Sequence, residues 1–228
     1  MSRHRLSRRE YLDAWADGHG GYDPRGSRLV RTWLGVIHTL AEPLARAHVS
    51  PDVITIPGGV LAGVVVWAAH GGGRWVLVAA VLVGLSGLLD SLDGAVAVIT
   101  ERATRWGALL DSLVDRVADA CLLVALWVVG APAWVCLAGW MLLVLLEYSR
   151  ARAMALDVRD IGTVTVGERP TRMIVVGMFL LAAGVLPGSA ATWATTGSYV
   201  LVVLGLVALV QLLVVLHRAL RAGPDRSP

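Results

Sequence analysis

The sequence predicts an all-α integral membrane protein, with six transmembrane helices preceded by an interfacial amphipathic helix and with N-in and C-in topology. Three observations carry this prediction. The chain is 56% hydrophobic with a mean hydropathy of +0.67, above the apolar share of an ordinary soluble domain. Six mostly apolar runs approach the roughly 20 residues that span a bilayer core. The basic residues, all of them arginine, gather in the breaks on one side of those runs, which is the positive-inside pattern.

Residues 1–27 are polar and glycine-containing and lack the apolar core of a signal peptide, so they read as a mobile cytoplasmic tail on the side of synthesis. Residues 28–47, RLVRTWLGVIHTLAEPLARA, mix Arg28, Arg31, Glu42 and Arg46 with Leu29, Trp33, Val36, Ile37, Leu40 and Leu44. Apolar spacings of three and four put one greasy face on a helix too polar to span, as expected of a helix lying along the cytoplasmic leaflet. A soluble helix packed on the cytoplasmic loops is the other reading of the same pattern.

The six runs cover about 53–70, 75–99, 106–129, 132–155, 172–187 and 194–217, separated by breaks such as HGGGR, GAPA and PGSAAT. With the N-terminus inside, the tail, the 100–105 and 156–171 loops and the C-terminal HRALRAGPDR all lie on the cytoplasmic side, and only Arg74 lies outside. Residues 48–220 then form one membrane domain, followed by a cytoplasmic tail at 221–228. Trp33, Trp67, Trp75, Trp106, Trp134 and Trp193 fall near the proposed boundaries, where interfacial tryptophans collect. Cys121 and Cys136 sit in apolar runs without metal-ligand spacing and read as buried thiols. The net charge of +3 is small and the arginines lie in loops, so the expected partners are anionic lipid headgroups, with no nucleic acid.

Against this background, LLDSLDGAVAVITERATRWGALLDSLVDRVADA at 88–120 holds five aspartates. Asp90 and Asp93 are three residues apart and Asp111 and Asp115 four apart, so each pair shares a face of its own helix. The pairs fall near the facing ends of two helices joined by a short loop, where all four side chains can meet. An ionised carboxylate at a helix centre costs roughly 2.5–3.5 kcal/mol on insertion scales, which makes four of them tolerable only in a wet cavity or around cations. Oxygen ligands without His or Cys nearby favour Mg²⁺ or Mn²⁺ over zinc. Four carboxylates can hold two such ions, an arrangement that serves phosphoryl transfer. Gly94 and Gly107 remove side chains where a helix or a ligand must come close to the metals.

The stretch resembles the signature of the CDP-alcohol phosphatidyltransferase family, D-x2-D-G-x2-A-R-x8-G-x3-D-x3-D. Asp90, Asp93, Gly94, Ala97, Gly107, Asp111 and Asp115 match, and Val98 stands in place of the motif arginine. HVSPDVITIPG at 48–58 is similar to the family's entry to the first span, with Asp52 where asparagine is common. The resemblance implies attack by an alcohol on the lipid-linked phosphorus of a CDP-alcohol, usually CDP-diacylglycerol, with release of CMP. It implies Asp90, Asp93, Asp111 and Asp115 as ligands of Mg²⁺ or Mn²⁺, with Asp115 also the general base, and a donor site that includes Gly94, Ala97 and Gly107. Arg102, one turn beyond Val98 if that helix continues, is the expected substitute for the motif arginine. Asp119 lies outside the motif and is expected to be structural, for instance paired with Arg116. The resemblance further implies a homodimer in the cell membrane with its active site facing the cytoplasm.

EYSRARA at 147–153 and VGERPTR at 166–172 place Arg150, Arg152, Arg169 and Arg172 at the cytoplasmic ends of two further spans. Positive-inside placement accounts for them, and so does a pocket for an anionic acceptor, since guanidinium forks match phosphate oxygens. These segments are similar to the YVKARA and ERxxR stretches of the phosphatidylinositol-phosphate synthase branch, which implies inositol phosphate as acceptor. Glycerol phosphate, or a lipid such as phosphatidylglycerol, suits the same charges. Glu147 is expected as counter-ion to the arginines. A cation transporter remains open as a different class but leaves the D-G-x2-A and G-x3-D spacings without a role. A catalytically inactive relative is supported by Val98 alone.

Overall fold

The structure, a computed structural model, describes residues 6–18, 23–156 and 165–222. Parts of the two expected tails and of the 156–171 loop lie outside the described residues. The described residues contain helices and no strand. In chain order they are α1 (Arg8–Gly18), α2 (Arg28–Arg46), α3 (Pro51–His70), α4 (Trp75–Ile99), α5 (Arg105–Val129), α6 (Ala133–Met154), α7 (Arg169–Val185) and α8 (Ala190–Ala222).

Among the described residues, four segments are long and apolar enough to cross a membrane: α3, α4, α6 and Pro187–Arg221. Their outward faces carry large exposed apolar side chains such as Val60, Trp67, Val81 and Leu137, a surface suited to lipid and costly in water. The protein is an integral membrane protein. α5 and α7 fall outside that group of four, α5 because of its acidic and basic residues and α7 because it has 17 residues.

Local chemistry sets the helix boundaries. The Thr104 hydroxyl accepts the Gly107 amide at 2.9 Å and starts α5, and Pro51 opens α3 at a position where its missing N–H is no loss. α4 ends in a double hydrogen bond, Glu101 N to Val98 O at 3.1 Å and Arg102 N to Ala97 O at 3.0 Å, with Glu101 at φ 51°. This Schellman geometry normally takes glycine at the left-handed position. α2 ends the same way, with His48 at φ 56°.

One buried cluster joins α3 to α8, from Val65 and Val83 through Leu126 to Leu180 and Leu201. Close approach is built in where α3 passes α5: a Cβ on Gly59 would lie 2.8 Å from Val114 Cγ1, the tight helix contact that a small residue allows. A second cluster lies under α1 and α2, where Tyr11, Leu12, Leu34 and Ile37 pack with Leu92, Val96 and Ile99 of α4. The expectation of a wholly mobile tail at 1–27 is corrected here. Residues 8–18 are helical, with Tyr11 and Leu12 buried against the body and Trp15, one turn on, packed beside them. Burial pushes the Tyr11 hydroxyl up to a pKa of about 12.

α2 has two apolar faces. Leu34, Ile37, Ala41 and Ala45 are buried inward, while Leu29, Trp33, Val36 and Leu40 form an exposed stripe at helical spacing. Cys136 is buried, and Cys121 is half-buried, lining an apolar cavity of about 520 Å³ between α3, α5 and α6. That cavity's lining includes none of the four motif aspartates.

Candidate active site

The ends of α4 and α5 that meet the first turns of α3 and α7 bring the carboxylates together. Asp90, Asp93 and Asp111 each offer one oxygen, and these three oxygens lie within 4.8 Å of one another. Asp93 is buried, and each of its oxygens is held: the Thr55 hydroxyl donates to Oδ2 at 2.7 Å and the Gly94 amide to Oδ1 at 2.6 Å. Three hard oxygens at this separation fit a divalent cation such as Mg²⁺ or Mn²⁺.

Asp115 is not one of that group of three. Its Oδ1 accepts a hydrogen bond from Arg169 Nη1, and the same nitrogen donates to Asp90 Oδ1. Of the four arginines expected on the acceptor side, Arg169 is the one whose side chain reaches the motif aspartates. Its first position in α7 puts the guanidinium across the gap between α4 and α5.

The other three arginines lie elsewhere. Arg150 grips Glu168, with Nη1 to Oε2 at 3.2 Å, and donates to the Thr165 hydroxyl at 3.1 Å. Burial works to raise the Glu168 carboxyl, but hydrogen bonds from Arg150 and Thr165 outweigh it and hold the group below the usual carboxylate value. Arg152 is exposed and has no ion pair among the described residues. Arg172 does not join the expected phosphate pocket. It is 3% exposed and spends its fork on Asp119 at 2.9 Å and Glu147 at 3.5 Å, because α7 turns that face inward toward α5 and α6. Arg116 completes this buried network, 3.5 Å from both Asp119 and Glu147.

Donor-side expectations divide in the same way. Gly94 faces open space, with nothing within 4 Å of a built Cβ, while a Cβ on Gly107 would lie 3.2 Å from Asp52 Oδ1. Ala97 is half-buried. Arg102 is not carried onto the Val98 face, because α4 stops at Ile99 and the left-handed Glu101 turns the chain away. Val98 packs against the cluster under α1 and α2, so the position of the motif arginine is absorbed into apolar packing.

Thr55 was not singled out from sequence. A lone hydroxyl in an apolar helix is the signal that could have marked it, since such groups seek a partner across the helix interface.

A family model described as CDP-alcohol phosphatidyltransferase matches residues 48–216. The chain belongs to the CDP-alcohol phosphatidyltransferase family. It is an enzyme of that class and a transferase of phospholipid biosynthesis. Among similar proteins, the phosphatidylinositol phosphate synthase of Cutibacterium acnes is 34% identical over 148 residues, covering 63% of this chain and 71% of the relative. A crystal structure of Mycobacterium tuberculosis phosphatidylinositol phosphate synthase in complex with manganese and citrate superposes with a TM-score of 0.66 at 26% identity, covering 84% of this chain and 93% of that one. The same synthase with CDP-DAG bound gives a TM-score of 0.64 at 26% identity, over 79% and 93% of the chains. The aspartates of this CDP-alcohol phosphatidyltransferase are thus a cluster able to hold metal in a fold that binds manganese in a neighbour.

Proposed function

We propose that this enzyme transfers the phosphatidyl group of CDP-diacylglycerol to the hydroxyl of inositol phosphate, releasing CMP. The observation that carries the reading is the contact of Arg169 with Asp90 and Asp115, which brings a phosphate-binding side chain into the carboxylate group. The phosphatidylinositol phosphate synthase relatives and the neighbour that binds CDP-DAG support both substrates.

In this reading Asp90, Asp93 and Asp111 would hold Mg²⁺ or Mn²⁺, and Asp115 would serve a second ion. Ions held there would supply positive charge toward the donor's phosphate oxygens and its leaving group. Asp115 takes the proton of the acceptor hydroxyl, whose oxygen forms a bond to the lipid-linked phosphorus as the bond to the CMP oxygen breaks. Gly94 leaves room for the nucleotide, with Ala97 and Gly107 beside it. Arg169 holds the acceptor phosphate as a fork, with Arg150 behind it. Thr55 keeps Asp93 oriented.

The chain crosses the membrane six times in this account, with both termini and the aspartates on the cytoplasmic side of the cell membrane and α2 along the leaflet. α5 and α7 complete the count because their charges point inward: Asp119 and Arg172 are both buried. At 1.5 Å per residue α7 is about 26 Å long, close to the roughly 30 Å of hydrocarbon. The enzyme acts as a homodimer.

The test is CMP release from CDP-diacylglycerol with inositol 1-phosphate, glycerol 3-phosphate, inositol, serine and phosphatidylglycerol offered singly. Inositol 1-phosphate is expected to give the highest rate. A higher rate with any of the others rejects the acceptor.

A further inference from the structure

Resting on the proposed metal and acceptor roles, we infer that Arg169 is a built-in competitor of the second divalent cation: its guanidinium takes the place between Asp90 and Asp115, and it leaves that place for the acceptor phosphate.

The geometry sorts the four carboxylates into two places. Asp90, Asp93 and Asp111 turn oxygens toward one another, and Arg169 reaches this trio through Asp90. Asp115 turns its Oδ1 to Arg169 instead, and Arg169 Nη1 bridges it to Asp90. A cation shared by Asp90 and Asp115 and this guanidinium nitrogen require the same oxygens. Like charges at hydrogen-bond separation in a partly buried site repel strongly, so occupancy is exclusive. Four carboxylate charges are balanced by two divalent cations without the arginine, and by one cation plus the arginine to within a single charge.

Arg169 is also held in a way that lets it leave. Both of its bonds come from one nitrogen. Arg150, in contrast, grips Glu168 with both terminal nitrogens, and Arg172 is locked between Asp119 and Glu147. Arg169 further sits at the first position of α7, beside its N-cap Glu168, with its side chain 12% exposed. An acceptor phosphate offers it a two-pronged partner in exchange for a shared one. Its departure opens the second cation's place and frees Asp115 for the acceptor hydroxyl in one movement, which couples acceptor arrival to completion of the metal centre.

The test counts Mn²⁺ bound per chain of detergent-solubilised protein, from the electron paramagnetic resonance signal of free Mn²⁺, with no donor present and no turnover. Wild type is expected to bind one ion tightly. Arg169→Ala and Arg169→Gln are expected to bind two, while Arg152→Ala, which removes the same charge at an exposed position, stays at one. Inositol 1-phosphate or glycerol 3-phosphate, added at saturation, is expected to raise the wild-type count to two. Two tight ions in wild type without acceptor overturn the inference, and this result needs no variant to fold. A count of one in both folded Arg169 variants also overturns it, as does a wild-type count that neither phosphate changes. A rise with glycerol 3-phosphate alone upholds the competition and rejects only the acceptor named above.

Discussion

Thr55 Oγ1 donates to Asp93 Oδ2 at 2.7 Å, tying the first turns of α3 to the most buried of the clustered carboxylates. The opposite oxygen of Asp93 takes the Gly94 amide, so the carboxylate is fixed from two sides. A hydrogen bond to a charged group contributes about 1.5–3 kcal/mol, and outer-shell partners of metal ligands typically change metal affinity about 10- to 100-fold. Thr55→Val is therefore expected to weaken Mn²⁺ binding by that factor, with Thr55→Ser near wild type. Equal affinity in Thr55→Val and wild type, measured by calorimetric titration, contradicts a positioning role for Thr55.

The Asp119–Arg172 pair is almost fully buried, with side chains 1% and 3% exposed. Removing one member of such a pair leaves an uncompensated charge and costs about 3–5 kcal/mol. Asp119→Ala should lower the melting temperature in detergent sharply, while Asp119→Leu combined with Arg172→Met should recover most of the loss. A double variant as unstable as the single one would show that the pair is more than mutual compensation.

Glu101 holds a left-handed conformation at the end of α4, φ 51°, without being glycine. That conformation costs an L-residue roughly 1–2 kcal/mol. Glu101→Gly relieves it at some loss of unfolded-state restriction, so a net stabilisation of about 1 kcal/mol is expected. His48→Gly at the matching position after α2 should behave alike. Thermal melts in detergent measure both, and destabilisation by either change contradicts the strain assignment.

Glu168 has a carboxyl held below its ordinary value of 4.5 by Arg150 and Thr165, against burial that works to raise it. A depressed folded-state pKa means that the group's contribution is complete above the unfolded value and fades as pH falls through the folded one. The melting temperature of wild type should therefore exceed that of Glu168→Gln at pH 7, and the gap should close below about pH 4.5. A gap constant down to pH 3 contradicts the ion pair as its source.

Much of the fold was legible because apolar runs and breaks have a length that the bilayer dictates. The run expected at 75–99 is α4 residue for residue, and the run at 106–129 differs from α5 by its first residue. The aspartate cluster was legible because spacings of three and four fix a helix face. The arginines were not, because their sequence positions at helix ends say nothing of rotation: Arg169 and Arg172 are three residues apart, yet one meets Asp90 and the other Asp119. The docking of α1 escaped although Tyr11, Leu12 and Trp15 stand at spacings of three and four, because so short a run lies among charged residues. Arg102 failed as a continuation of the Val98 face because a left-handed helix end at a glutamate has no strong sequence signature.

The most direct measurement of the central claim is CMP release by purified wild type, Asp93→Asn and Asp111→Asn, with CDP-diacylglycerol, inositol 1-phosphate and Mn²⁺. Wild type is expected to release CMP and form phosphatidylinositol phosphate one for one. Each variant, correctly folded, is expected to lose about 100- to 1,000-fold in rate, on the scale of one electrostatic group acting on the transition state. Either variant retaining wild-type turnover, or wild type releasing no CMP, would contradict the account.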